Sequence, residues 1–326
     1  MMKKRILILF LSLVILVGAK PLRNLVLVRS FPDDNSTVPD DYLASPYKVV
    51  KFNDHFIVSD ADSGCLKVFN NEGTFVRAIG RKGQGPGEFG NPYVFTIDKT
   101  CGIIYCFDSN NGRIAIFDFS GKFIGFIKTT LNIFDLIFVD DKLFLSAYND
   151  VNKTLLVEMD KGGKILKFFG LPLDEAVNRL PEKYRSYFYK AITLDADANL
   201  IYAFFWYLPY IVEFDKSGEI KNTVKVDIKE AAAVYKKNLS AASQRSGARL
   251  DIKYWTKGAS VKDDNFYFYS VSSPAGLMVV DHKGRLMERI GFKDKATAGL
   301  LMIYSGLMDG EHVFIDSNWI KIFKEE

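Results

Sequence analysis

The sequence predicts an all-β fold: a six-bladed β-propeller of four-stranded antiparallel blades, closed by its own N-terminal strand and carrying two partly helical insertions. Three observations predict it. A hairpin signal recurs along the chain: an apolar strand, Asp, two residues, Gly, then a second apolar strand. Its spacing keeps a base period in the low-to-mid forties, the length of four short strands and their turns. One good strand near the N-terminus, Asn24-Leu25-Val26-Leu27-Val28-Arg29, has no partner in its own neighbourhood.

The hairpin signal occurs at Phe117-Asp118-Phe119-Ser120-Gly121, Met159-Asp160-Lys161-Gly162-Gly163, Phe214-Asp215-Lys216-Ser217-Gly218 and Val280-Asp281-His282-Lys283-Gly284, with a variant at Phe69-Asn70-Asn71-Glu72-Gly73. An Asx residue followed by Gly favours a tight turn with a positive φ, so each reads as a hairpin. From Phe69 to Phe117, Met159, Phe214, Val280 and Phe323 the steps are 48, 42, 55, 66 and 43 residues. The two long steps hold the insertions. A last copy would need its turn near Ile322-Phe323-Lys324, so residues 24–29 are expected to pair with Val313–Phe323 and close the ring, removing exposed sheet edges. Blades then fall at 44–80, 92–128, 133–170, 188–226, 257–291 and 298–323 plus 24–29. Inner strands fall at 48–52, 93–97, 135–139, 190–194, 258–261 and 301–305. The whole domain spans 24–326.

Taken in order, the chain starts with a positive Met1-Met2-Lys3-Lys4-Arg5 and an apolar run from Ile6 to Val17, too short for a comfortable membrane span. Small residues at Val17-Gly18-Ala19 offer a cleavage point, so residues 1–19 read as an export signal; an uncleaved anchor is the alternative. The three cysteines, Cys65, Cys101 and Cys106, leave at least one thiol unpaired and match no metal spacing. Cys101 and Cys106 flank the turn at Gly102, where a disulfide is an open option. Five glycines (80, 83, 85, 87 and 90) and two prolines crowd the stretch from Ile79 to Pro92. A phosphate cradle would need a helix just after such a loop. The run Tyr93-Val94-Phe95-Thr96-Ile97 follows instead, so the stretch is a built connection between strands. The insertions lie at 171–187 and 227–256; Lys229-Glu230-Ala231-Ala232-Ala233-Val234-Tyr235-Lys236-Lys237 is rich in helix formers and predicts a helix.

The segment from Gly80 to Pro92 resembles the inter-blade linker of NHL-type six-bladed propellers: a glycine ending one blade, a Gly-x-Gly-Pro-Gly-x-Phe turn, then a proline opening the next inner strand. The resemblance is strongest from about 57 to 127 and weaker across 128–256. The linker motif is absent after most blades, which leaves a seven-bladed count as the rival. The architecture implied says little about activity, because such propellers serve unrelated roles.

Strand direction alternates within a blade. Every connection from an outer strand to the next inner strand therefore shares a face with the loops joining second and third strands. The Gly-rich linker and both insertions are such connections, and the Asp-x-x-Gly hairpins lie opposite. One face is thus elaborated and the other plain, and binding usually resides in loops on a rigid scaffold. The candidate residues on the loop-rich face are Arg81, Lys82 and Glu88 of the linker, the recurring Asp60, Asp108 and Asp316, with Asn110 and Asn318 beside them, and the aromatics Trp206, Tyr207 and Tyr210. The aspartates would cap loops by accepting backbone N–H bonds, or ring the channel mouth and hold a cation or polar ligand. The aromatics would stack a ligand, anchor a partner or pack between blades.

Catalysis finds little support. His55, His282 and His312 sit in turns away from the elaborated face, and none is placed to act as a base. Propeller lactonases and amidating lyases, which the fold also resembles, carry metal ligands on inner strands. Here those strands are apolar except at Thr96, Asp135, Lys190, Thr193 and Ser260, so no ligand set transfers. With 43 basic against 39 acidic residues and a net charge of +4, the chain lacks the clustered basic excess of a nucleic-acid surface. The expected function is an exported, monomeric, non-catalytic module that binds a protein, peptide or glycan through its loop-rich face, with no cofactor; calcium on oxygen ligands is the one cofactor left open. The alternative is a metal-assisted hydrolase or lyase with a cation in the channel. Carboxylates converging in the mouth would favour the enzyme, and an aromatic mouth the binding module.

Overall fold

The computed structural model describes residues 23–32, 41–149, 153–170, 174–190, 192–244, 253–270, 275–294 and 302–326. The leader expected at 1–19 lies outside the described residues.

After β1 (Asn24–Phe31) the chain forms antiparallel meanders. The first is β2 (Pro46–Phe52), β3 (His55–Asp60), β4 (Cys65–Asn70) and β5 (Phe75–Ile79). Two short strands within the Gly-rich linker, β6 (Arg81–Lys82) and β7 (Glu88–Phe89), pair parallel with each other. The second meander is β8 (Pro92–Asp98), β9 (Ile103–Asp108), β10 (Arg113–Asp118) and β11 (Phe123–Lys128). The third is β12 (Asp135–Val139), β13 (Lys142–Asn149), β14 (Thr154–Asp160) and β15 (Ile165–Phe169). Helices α1 (Glu175–Asn178) and α2 (Glu182–Lys190) precede the fourth, β16 (Ile192–Ala196), β17 (Leu200–Phe205), β18 (Tyr210–Asp215) and β19 (Ile220–Lys225). Helix α3 (Lys229–Gln244) leads to β20 (Thr256–Lys262), β21 (Asn265–Ser270), β22 (Gly276–Asp281) and β23 (Leu286–Phe292). The last run is β24 (Ile303–Met308), β25 (Glu311–Asp316) and β26 (Trp319–Glu325).

The recurring hairpins share one hydrogen-bond pattern. Asp160 Oδ1 accepts from the N–H groups two and four residues on, as do Asp215 and Asp281, all at 2.9–3.0 Å. Asn70 does the same with Glu72 and Thr74. The closing glycine takes a positive φ, for example 98° at Gly121 and 95° at Gly163, where a Cβ would be strained. An Asx acceptor and a left-handed Gly at fixed offsets are what the motif encodes.

The first four meanders are separate four-stranded sheets, but the remaining strands form a single eight-stranded sheet in the order β20-β21-β22-β23-β1-β26-β25-β24. Among the described residues the meanders therefore make five sheets where six blades were expected, beside the small β6–β7 ladder. The cause is β1. It pairs antiparallel with β26, from Leu25 opposite Glu325 to Phe31 opposite Ile320, which closes the ring as expected. It also pairs parallel with β23 through Asn24–Gly291 and Leu25–Phe292, which joins two meanders into one sheet.

The first strand of each meander neighbours the next around an axis, from β2 through β8, β12, β16, β20 and β24 back to β2. The buried core lies between successive meanders rather than within them. Ile57 and Val68 meet Phe95 and Ile104; Val313 and Ile322 meet Val49 and Phe56, completing the circle. A sheet face this apolar cannot stay in water, at roughly 1.5–3 kcal/mol per fully buried large side chain, so each sheet needs both neighbours. Phe31 of β1 is buried against Phe56 and Phe69, at ring separations of 5.5 and 5.0 Å.

Two boundaries differ from expectation. The inner strand placed at 190–194 is β16 at Ile192–Ala196, because α2 continues to Lys190. Helix α3 runs to Gln244, seven residues beyond the predicted Lys237. The cysteines form no disulfide: Cys106 is buried, and the exposed Cys101 thiol donates to Asp98 at 2.9 Å. Among the described residues no helix is long and apolar enough to cross a membrane.

Candidate functional site

The loop-rich face is knitted together by side chains that return to their own loops. The two helical insertions meet on it: the Tyr235 hydroxyl of α3 donates to Asp174 Oδ2 at 2.8 Å, and Asp174 caps α1 by accepting from Val177 N at 3.0 Å. In the linker, the Glu88 carboxylate accepts from Gly85 N at 2.9 Å, Gln84 N at 3.1 Å and Arg81 Nε at 3.0 Å. The Gly85 N–H and the Arg81 guanidinium hold the Glu88 carboxyl below its ordinary pKa. At Gly83, φ is 154° and a Cβ would lie 2.2 Å from Glu88 Oε2, so this glycine lets the loop close on the carboxylate.

The recurring aspartates do not converge; each is consumed in its own loop. Asp108 accepts from Gly90 N, Asn91 N and Asn111 Nδ2 at 3.0, 2.9 and 2.6 Å, and pairs with Arg113 at 3.3 Å. Arg113 in turn donates to the carbonyls of Gly85 and Glu88 at 3.0 and 2.7 Å, tying the linker to β10. Asp60 accepts from Ala44 N, Ser45 N and the Ser63 hydroxyl, and lies 3.3 Å from Lys67 Nζ. Asp316 pairs with Lys321. Asn318 Nδ2 donates to Leu43 O at 2.7 Å, and Asn110 Nδ2 to Gly90 O at 3.4 Å. Asp60 and Asp108 are fully buried, so they cannot offer a carboxylate ring to solvent. Arg81 projects outward with 81% of its side chain exposed, and Lys82 donates to Asp62 O. Tyr42 and Tyr187 are exposed on the same face.

The aromatic cluster is half-buried and packed inward. Trp206 Nε1 donates to Thr193 Oγ1 at 2.7 Å, and its ring meets Tyr254 edge-on at 5.3 Å. Tyr207, only 8% exposed, stacks on Tyr254 at 4.7 Å. Tyr210 is half-buried beside the helices, where burial first and the Asp174 carboxylate second raise its pKa. Tyr47 of β2 and Tyr93 of β8 meet with tilted rings 3.8 Å apart and their hydroxyls bonded.

On the axis lies a channel of about 1030 Å³. Its walls are the inner strands, from Lys48, Asp135 and Thr193 at the loop-rich end to hairpin residues such as Thr100, Asp140 and Asp309 at the plain end. Lys48 crosses from β2 to Asp135 of β12, past the intervening β8. Tyr47, Tyr93 and Trp206 lie on the loop-rich side of that pair and are not among the lining residues, whereas the lining runs out to the hairpins of the plain face. This was not expected from the sequence. At the open end lysines and aspartates pair off: Lys51 with Asp309 at 3.0 Å, Lys161 with Asp141 at 3.0 Å, Lys216 with Asp140 at 2.8 Å.

Polar side chains also bridge neighbouring inner strands. Thr96 Oγ1 accepts from Phe138 N, Asp135 Oδ2 from Leu194 N, and Asp195 Oδ2 from Val261 N. Asp195 is the wall residue that sequence reasoning missed. Asp195 is half-buried on the channel wall, and desolvation there pushes its carboxyl pKa up to about 6 against the opposing help of the Val261 and Ala196 N–H groups. Ser260 opens a buried chain: its hydroxyl is 3.1 Å from Tyr304 Oη, which is 2.9 Å from His312 Nδ1, whose Nε2 is 2.8 Å from Glu325 Oε1. His312 is therefore internal rather than in an open turn. His282 sits on the plain face, 3.1 Å from Glu213, and the His55 ring packs on Phe119. Among the described residues no three His, Cys, Asp or Glu side chains are grouped to hold a metal ion.

Residues 40–189 match a domain of unknown function (DUF4934). A protein of Bacteroides fragilis NCTC 9343 described as exported has the same fold at a TM-score of 0.66, with 15% identity over 93% of this chain and 94% of that one. The fold is propeller-like. A DUF4221 family member from Bacteroides vulgatus ATCC 8482 aligns at a TM-score of 0.57 and 11% identity, over 94% of this chain and 98% of its own. Virginiamycin B lyase from Staphylococcus aureus aligns at 0.54 and 11%, over 93% and 99%. At these identities the likeness is one of fold alone. No curated protein matches the chain.

Proposed function

We propose that the chain is an exported β-propeller of six four-stranded blades, NHL-like in its linker, that acts as a non-catalytic binding module. Its loop-rich face takes a protein, peptide or glycan partner; no nucleic acid, cofactor or second copy is part of the reading. The six-blade count treats the eight-stranded sheet as two blades joined by β1, and rests on six inner strands around the axis. The exported setting draws on the leader and on the neighbour described as exported.

The observation that carries the binding role is the aromatic group at the loop-rich end of the channel. Tyr47 meets Tyr93, and Trp206 meets Tyr254, on the loop-rich side of the Lys48–Asp135 pair, which supports a contact surface there. Such a surface offers Arg81, Tyr42 and Tyr187 outward, residue types that anchor partners. The test is a pull-down from the exported fraction with the intact protein, a Trp206→Ala, Tyr210→Ala double variant, and an Arg81→Ala, Tyr187→Ala variant that touches only exposed groups. Reduced recovery of one partner by both variants is expected. Equal recovery by all three proteins would remove the loop-rich face from consideration.

A further inference from the structure

We propose that the outer edge of β11 is a docking site for an extended acidic peptide, which adds to the second meander as a further strand. This surface lies on the rim between the two faces, so it goes beyond the function proposed above. Four meanders end in a strand with one free edge: β5, β11, β15 and β19. The corresponding strand β23 is met by β1. A free edge invites unwanted pairing, and a charge within the strand discourages it. Arg77 supplies that charge on β5, Lys167 on β15 and Lys221 on β19. From Phe123 to Ile127, β11 has no charged residue, and Ile124 and Phe126 are 53% and 42% exposed.

The backbone of this edge is turned to receive a strand. Thr129 N donates to Gly112 O at 3.0 Å, so the alternation of the antiparallel ladder also turns Ile127 and Gly125 toward β10. The N–H and C=O groups of Phe126 and Lys128 therefore point outward. The seam beside the strand is vacant as well. Two residues before the buried Ile79 and Phe169, the neighbouring outer strands clasp the next hairpin: Arg77 donates to Phe119 O, and Lys167 to Ser217 O at 2.7 Å. Two residues before the buried Ile127 stands Gly125, where a Cβ would meet nothing within 4 Å. A large apolar side chain on an added strand, opposite this glycine, would cover it.

Charge names the occupant. Lys122 and Lys128 flank the apolar run, both are exposed, and among the described residues neither has an acid partner. The nearby Asp118 carboxylate accepts from Lys122 N at 2.9 Å and from the Ser120 hydroxyl at 2.6 Å. Arg113, opposite Lys128 on β10, is paired with Asp108 and lies 5.3 Å from the Phe126 ring. An incoming strand thus meets an apolar centre between two unmatched positive charges, and carboxylates at both its ends complement them. A second copy fits badly: pairing antiparallel about Gly125 would set one copy's Lys122 against the other's Lys128.

The test is fluorescence-anisotropy titration of the intact protein with three dye-labelled peptides: ETVFVTE-amide, KTVFVTK-amide, and the acidic peptide N-methylated at both valines, which cannot donate to the edge. The acidic peptide is expected to bind about tenfold more tightly than the basic one in ~20 mM salt, and N-methylation should abolish binding. A Lys122→Glu, Lys128→Glu variant, which alters exposed side chains alone, should reverse the preference. The Arg81→Ala, Tyr187→Ala variant of the loop-rich face should leave it unchanged, so this proposal and the binding role of that face fail separately. Hydrogen exchange should slow at the Phe126 and Lys128 amides when the acidic peptide is added. Equal binding of the acidic and basic peptides, undiminished binding of the N-methylated one, or no binding at ~1 mM would overturn the proposal. So would self-association of the protein that Ile124→Lys abolishes, which would assign the edge to a second copy.

Discussion

The two ends of the channel are built from the same six inner strands and differ in almost every other respect. At the loop-rich end, carboxylates are buried and each satisfies several backbone N–H groups, as Asp108 does for Gly90 and Asn91. At the plain end, carboxylates sit in hairpin turns and pair with exposed lysines, as Asp141 does with Lys161. The contrast teaches that elaboration and concavity part company here. The long insertions and glycine loop elaborate one face, while the lining of the channel reaches the minimal turns of the other.

That comparison can be broken in graded ways. The largest effect belongs to Asp108→Ala, which strips the linker of its acceptor and leaves Arg113 buried without its acid; a loss of about 3–5 kcal/mol is expected by urea unfolding. A loss under about 1 kcal/mol would mean that the linker does not depend on that carboxylate. Next comes the pH response of Asp195. Its pKa is raised from 3.8 to about 6, so between those values the folded chain binds a proton that the unfolded chain has lost. Stability should therefore fall as pH rises from about 4 to about 6, by up to about 3 kcal/mol from this group. Asp195→Asn should flatten that segment of the curve; an unchanged slope would show that the carboxyl is not strained by burial.

A smaller effect is expected at the loop-rich end from Tyr47→Phe, which removes one hydroxyl from the Tyr47–Tyr93 pair at a cost of about 1 kcal/mol. Thermal unfolding would read it, and a gain in stability would argue that the pair is a liability. The smallest is Lys161→Ala at the open end. Both partners are mostly exposed, so no more than about 0.5 kcal/mol should be lost, shrinking further in salt. A loss comparable to Asp108→Ala would erase the distinction between the two ends.

Much of the fold was legible because local chemistry repeats. The hairpins at Asn70, Asp118, Asp160, Asp215 and Asp281 follow from an Asx acceptor and a left-handed Gly, both visible in sequence. The closing role of 24–29 was legible because a lone strand must find a partner. The joining of two meanders was not, since it depends on two residues, Asn24 and Leu25, meeting Gly291 and Phe292 in space. For the site, the polar positions Thr96, Asp135, Thr193 and Ser260 stood out from apolar strands. Asp195 did not, because α2 extends to Lys190 and shifts β16 two residues onward, past the frame in which the strand was sought. The aromatic group at the loop-rich end was hidden for another reason: Tyr47, Tyr93 and Tyr254 belong to three separate stretches of the chain, and nothing in linear order brings them together.

The pairing of β1 with β26 joins positions about as far apart as this chain allows, Leu25 opposite Glu325. In a polypeptide synthesised from its amino end, the latch is made first and its keeper last. Five meanders can stack before it, and Phe31 can already pack on Phe56 and Phe69, yet the antiparallel partner of residues 25–31 is the last strand to emerge. Completion of the toroid is thus a late event, and a polypeptide interrupted even a strand short of Glu325 would leave the first strand without the antiparallel ladder that holds it.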